Sequence, residues 1–351
     1  MVSVLEELRL QARFCGEFGS RFTEELLNKG AEDIEAGGIC AKLTEAWPGH
    51  PRSDAVSLRV AGALHAAALT GRDAKLAAEY PASRSDWSMA RVWPIARDFL
   101  EREEPWMREF MKSPPQTNET GRATGLASGF LWLADRVPQP FHMYELGASA
   151  GLNLNWDRFA YEYPPWGRAG MDGPVIPTRV DGTPPTWRDI AVASRAACDQ
   201  NPLNAADAND RLRLRAYIWA DQTARMDRLN SALDLARETG VKPDKADAAD
   251  WVNERLAGEL PLGTSVVYHS VFYQYPPREV REAIKANIEE AGAHTTPDRR
   301  LAWVRFEPSS VIGGDRDVIR YILNIVSWNA GERSEQTLAE VDPHGRFMVW
   351  Y

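Results

Sequence analysis

The sequence predicts an α/β protein in which a helical N-terminal domain precedes a doubly wound, mainly parallel sheet ending in an antiparallel hairpin. Three observations carry this expectation. Apolar residues recur at helical spacing through the first third, short β-type runs alternate with helical stretches from Phe141 onward, and the final segment holds two strand-like runs without a helix between them. The length of 351 residues, 44% apolar and 26% charged, suits two domains or one enlarged α/β domain with an ordinary globular core.

The helical third shows Leu5, Leu8, Phe14, Phe18, Phe22, Leu26 and Leu27, then Val56, Val60, Leu64 and Ala67, at spacings of three and four. Two prolines and small polar residues in KSPPQTNE, 112 to 119, break the pattern and set the expected division into 1–115 and 116–351. A helix from about Glu119 to Asp135 follows. Then come the strand FHMYEL, the strand AVASRAAC, a helix over Gln222 to Glu238, the strand TSVVYHSVF, a helix from Pro277 to Ala291, and the strand LAWVRFE. RYILNIVSW and RFMVWY, joined by a polar stretch ending in DPHG, read as the antiparallel hairpin. Residues 161 to 188 hold six prolines and four glycines, too many for a central strand. They read as an excursion with room for a short hairpin, either lying over the carboxyl ends of the strands or decorating the surface.

Composition narrows the function. With 41 Lys and Arg against 50 Asp and Glu, the net charge of −9 supplies no general field for a phosphate backbone, so nucleic acid is not the expected partner. Three cysteines without a C-x-x-C pair give neither a disulfide framework nor a thiolate zinc site, and the six histidines show no H-x-x-x-H spacing, so no metal is expected. Acids and arginines in MVSVLEELRLQARF argue against a secretory leader. The longest apolar stretch, Ala55 to Leu69, is interrupted by Arg59 and His65 and is short of the ~20 residues of a membrane span. The expectation is a cytoplasmic protein acting on a small molecule.

The segment 141 to 161, FHMYELGASAGLNLNWDRFAY, is a strand, a turn of small residues and a helix. Gly147, Ser149 and Gly151 fit the G-x-S-x-G elbow of a serine hydrolase, with Ser149 as nucleophile. Glu145, Gly147, Ser149 and Gly151 equally fit an acidic-x-Gly-x-small-x-Gly loop whose backbone approaches a nucleotide-like ligand. Position favours the second, because an elbow lies deep in its sheet whereas here the residues before it look helical. An NAD(P)-binding oxidoreductase is a further alternative, although G-x-x-x-G lacks the final spacing of G-x-G-x-x-G.

These residues carry a resemblance. ELGASAGLNL is similar to the first motif of class I S-adenosylmethionine-dependent methyltransferases. TNETGR (117–122), ELGASAGLN (145–153), DQNPL (199–203), WADQ (219–222), ADAADW (246–251) and VVYHSVFYQY (266–275) together resemble an uncharacterised bacterial group, domain-of-unknown-function family 2332, over nearly the whole chain. The resemblance implies a Rossmann-like methyltransferase fold with S-adenosylmethionine as cofactor. It implies that Gly147, Ala148, Ser149, Ala150 and Gly151 wrap the methionine part, Glu145 orients the ammonium, and Asp199 accepts from the ribose hydroxyls. Asp247 and Ala248 would read adenine, with plain helix capping by Asp247 as the other explanation. Asp199 lies 48 residues past Gly151, against ~20 in a dinucleotide fold, and the proline-rich excursion accounts for the excess.

His269, Tyr273 and Tyr275 fall at the carboxyl end of the fourth parallel strand, where open α/β sheets place ligands, and His269 is the natural base if the acceptor must lose a proton. A buried structural histidine is the alternative. Asn118, Glu119 and Arg122 stand at a helix start just before the first strand, within reach of cofactor or acceptor, or form a capped helix with a surface pair. A protein that binds the cofactor or its demethylated product without turnover is the remaining alternative.

Overall fold

The computed structural model describes residues 3–45, 47–163, 167–313 and 320–351. The chain folds into two compact units, Met1–Thr117 with Ala208–Asp227, and Asn118–Asp207 with Arg228–Tyr351.

The first unit is helical among its described residues. Its helices are α1 (Val4–Glu17), α2 (Arg21–Glu35), α3 (Ile39–Thr44), α4 (Val56–Thr70), α5 (Ala74–Glu79), α6 (Met89–Arg102) and α7 (Glu104–Met111). Ser3 and Glu6 form a reciprocal capping box at the start of α1, and Ser20 caps α2. Phe22, Leu26, Val60, Leu64, Val92, Phe99 and Met107, drawn from the periodic positions of the helices, pack into one buried cluster. His65 is buried on α4 and its Nδ1 lies 3.2 Å from the Ala216 carbonyl. No helix among the described residues is long and apolar enough to cross a membrane.

The second unit contains α8 (Ala123–Ala134) and carries a sheet of mixed parallel and antiparallel pairing. Its strands are β1 (Phe141–Leu146), β2 (Ala160–Tyr163), β3 (Gly167–Gly170), β4 (Val175–Pro177), β5 (Arg179–Asp181), β6 (Val192–Asp199), β7 (Asp244–Lys245), β8 (Gly263–Ser270), β9 (Arg299–Pro308), β10 (Tyr321–Asn329), β11 (Glu332–Val341) and β12 (Phe347–Trp350). Nine described strands form the main sheet in the order β5-β12-β11-β10-β9-β8-β1-β6-β7. The pairs from β7 through β6, β1 and β8 to β9 are parallel. Every residue of β8 is buried, as a strand covered on both faces requires. α11 (Ala248–Leu256) and α12 (Arg278–Ala293) belong to this unit as well, whereas α9 (Ala208–Ala216) belongs to the first unit and α10 (Thr223–Thr239) crosses the division at Asp227.

Two expectations are corrected. The C-terminal hairpin is not formed by residues 320–328 and 346–351, because β11 lies between them and pairs antiparallel with both β10 and β12. Glu332 to Thr337, the first six residues of β11, are exposed, so they show no apolar alternation and read as a polar linker. The proline-rich excursion, apart from residues 164–166, which lie outside the described residues, is more than a hairpin. β3, β2 and β4 form a separate small sheet, and β5 joins the edge of the main sheet beside β12.

Candidate ligand site at the carboxyl ends of β1 and β8

Strand order reverses at β1, whose neighbours are β6 on one side and β8 on the other. Where strand order reverses, connections leave in opposite directions, and open α/β sheets usually take their ligands in the crevice outside the carboxyl ends at that point. Leu146 and Ser270 end the two strands, and the segments after them build the site.

The loop after β1 has three left-handed residues, Gly147 (φ 66°), Ser149 (φ 55°) and Gly151 (φ 71°). At Gly147 glycine is required twice, by this φ and by the Phe272 ring, whose Cδ2 would lie 2.0 Å from a Cβ. Ser149 bears the ~1–2 kcal/mol cost of that conformation for an L-residue. Two side chains clamp the loop. Asp199 Oδ2 accepts from Ser149 N at 2.8 Å while its Oδ1 accepts from Asn201 N at 2.8 Å; Asn118 Oδ1 accepts from Ala150 N at 3.3 Å and Leu152 N at 3.0 Å. Ala148 N donates to the Cys198 carbonyl, tying the loop to the end of β6. Among the described residues the Ser149 hydroxyl and Asn153 Oδ1 are buried without a hydrogen-bond partner, an arrangement natural interiors keep for a reason.

Three carboxylates end successive strands or open the helix that follows. Glu145, on β1, is buried, and burial pushes its carboxyl up to about 8; the Tyr268 hydroxyl, 3.5 Å away, and the Arg122 charge oppose that shift, while the Asp199 charge adds to it. Asp199 ends β6. Asp247 caps α11, its Oδ1 accepting from Ala249 N at 2.8 Å and Asp250 N at 3.3 Å, with Ala248 buried behind it. The capping explanation for Asp247 therefore holds, and its Oδ2 remains apart from the cap. Ala246 N donates to the Asp199 carbonyl, holding the ends of β6 and β7 together.

The segment TNETGR reaches this crevice. Asn118 holds the glycine loop, Glu119 is buried and its Oε1 caps the turn at Gly121 N (2.9 Å), and Arg122 donates to the Ser270 carbonyl at 3.0 Å and the Pro343 carbonyl at 3.1 Å. Arg122 thus joins the end of β8 to the β11–β12 turn with its guanidinium held in one orientation.

His269, Tyr273 and Tyr275, at or just after the carboxyl end of β8, are arranged differently from one another. His269 is fully buried, and both ring nitrogens are engaged: Trp303 Nε1, a donor only, points at Nε2 from 3.0 Å, so the proton sits on Nδ1 and is donated to Glu307 Oε1 at 2.6 Å. No ring nitrogen is left to take a proton from a substrate in this arrangement. Tyr273 stacks on His269 with centroids 5.1 Å apart and donates its hydroxyl to the Arg281 carbonyl at 2.5 Å; burial pushes that phenol up to about 12. Tyr275 is exposed.

Sequence reasoning passed over Glu307 and Phe272. Glu307 is fully buried, and its Oε1 also accepts from Phe272 N at 2.8 Å and Tyr273 N at 3.1 Å. The signal was an acid near the end of an apolar strand run, LAWVRFE, the same pattern that marks Glu145 in FHMYEL. Phe272 had no signal beyond its place in VFYQY.

The comparisons with known proteins bear on the chain as a whole. The family model described as "Uncharacterized protein conserved in bacteria (DUF2332)" matches residues 5–350. The chain belongs to this family. No curated protein and no solved structure matches it.

Proposed function

We propose that this DUF2332 protein binds S-adenosylmethionine at the β1 crevice and transfers its methyl group to a small-molecule acceptor. The observation that carries this is the left-handed glycine loop at the point of strand reversal, with carboxylates at the ends of β1 and β6 and at the start of α11. Their chemistry fits the parts of such a ligand. Glu145 suits an ammonium, Asp199 keeps unused lone pairs for a diol, and Asp247 Oδ2 suits an exocyclic amine. The unpartnered Ser149 hydroxyl lies in the same loop, and the fixed guanidinium of Arg122 suits a carboxylate.

Bound there, S-adenosylmethionine supplies a methyl group on a positively charged sulfur, open to in-line displacement. The chain's contribution is orientation and exclusion of water. His269, sealed between Trp303 and Glu307, supports the β8 end instead of removing a proton, so the reading requires an acceptor that arrives with a free lone pair. The same sealing favours the second reading, a protein that binds the cofactor or S-adenosylhomocysteine without turnover. The hydrolase alternative finds little support, since the Ser149 hydroxyl has no hydrogen-bonding base among the described residues.

Titration with S-adenosylmethionine and S-adenosylhomocysteine, repeated on Glu145→Gln and Asp247→Asn, tests the proposal. Saturable binding weakened in both variants supports it. Absence of heat with millimolar ligand, or labelling of Ser149 by a fluorophosphonate, contradicts it.

A further inference from the structure

The turn after β8 is strained, and one carboxylate oxygen holds its two central amides. Val271 has φ 52°, a conformation that a β-branched side chain adopts only when its surroundings impose it. Its N–H donates to the Phe306 carbonyl at 2.8 Å, and the next two amides, Phe272 and Tyr273, both donate to Glu307 Oε1. The same oxygen receives the His269 Nδ1 proton, so one carboxylate oxygen at the end of β9 fixes three donors from β8 and its turn. The turn in turn carries the Phe272 ring, which occupies the space a Cβ on Gly147 would fill. A continuous path therefore runs from Glu307 through the strained turn and the Phe272 ring to the glycine loop.

We infer that Glu307 is a positioning residue: by holding the Val271–Tyr273 turn it sets the Phe272 ring against Gly147 and so fixes the conformation of the glycine loop that receives the ligand. This rests on the reading of that loop as a ligand site, and Glu307 itself touches no ligand. The Trp303–His269 hydrogen bond sets the tautomer that lets His269 donate, so the aromatic pair behind Glu307 belongs to the same support.

Amide hydrogen exchange and S-adenosylhomocysteine titration on full-length wild type, Glu307→Ala, Glu307→Gln and Phe272→Ala separate the possibilities. In Glu307→Ala, exchange should rise about tenfold both at 271–273 and at 147–152, the effect of losing the acceptor these amides share, and affinity should fall to match. Glu307→Gln keeps an oxygen for the two amides and should recover most of both. Phe272→Ala should loosen 147–152 and weaken binding while leaving the His269 Nδ1 and Trp303 indole proton resonances as in wild type. Unchanged exchange at 147–152 in Phe272→Ala overturns the inference, even if Glu307→Ala fails to fold. A wild type that does not bind S-adenosylhomocysteine defeats the proposed function instead, and the exchange measurements still decide whether Glu307 governs the loop.

Discussion

Glu145 is the residue whose chemistry is most exposed to test. Its carboxyl is pushed up to about 8 by burial, so between the ordinary value of 4.5 and about 8 the folded chain holds a proton that the unfolded chain has lost. Stability should therefore fall as pH rises across that window, and Glu145→Gln should flatten the slope and raise the Tm at pH 8, as thermal scans at several pH values would show. Binding an ammonium beside Glu145 requires the carboxylate, so at pH 7 ligand binding should release a proton. Calorimetry in buffers of different ionisation enthalpy reads that release directly, and its absence would place the ammonium elsewhere. Ser149 gives an independent measure: Ser149→Gly relieves a left-handed serine and should be neutral or stabilising by up to ~1 kcal/mol, whereas most loop substitutions destabilise.

At the scale of elements, the glycine loop is held from two sides, by Asp199 at the end of β6 and by Asn118 ahead of α8. Asn118→Ala leaves two loop amides without their acceptor and should cost ~1–3 kcal/mol in denaturant unfolding, with weaker ligand binding. In the helical unit, burial drives the His65 imidazole down to about 4, while the bond to the Ala216 carbonyl opposes it. The unfolded chain takes up that proton first, so the stability of α4 and its neighbours should decline as pH drops from 6.5 towards 4. His65→Gln should lessen the decline. The regular elements were legible because their spacing is set by burial: the period of α1, α2 and α4, and the fully buried run of β8. β11 was not legible, since an exposed strand half has no apolar face to announce it, and β2 to β5 were hidden by prolines placed where short and edge strands tolerate them.

For the whole molecule, the candidate site was legible in outline. Asn118 and Asp199, distant in sequence, converge on the loop that Glu145, Gly147 and Ser149 share, because β1 sits at the point of strand reversal. Sequence left the inward turn of His269 open as an alternative and did not disclose the role of Glu307, because which side chains meet across β8 and β9 depends on their pairing in the fold. The acidic charge of −9 and the family assignment leave the ligand itself as the central question. Calorimetric titration of the full chain with S-adenosylhomocysteine addresses it most directly. The expected result is saturable binding that releases a proton at pH 7 and is weakened by Glu145→Gln; no heat at millimolar ligand, or equal affinity in that variant, would overturn the assignment of Glu145 and the glycine loop to this ligand.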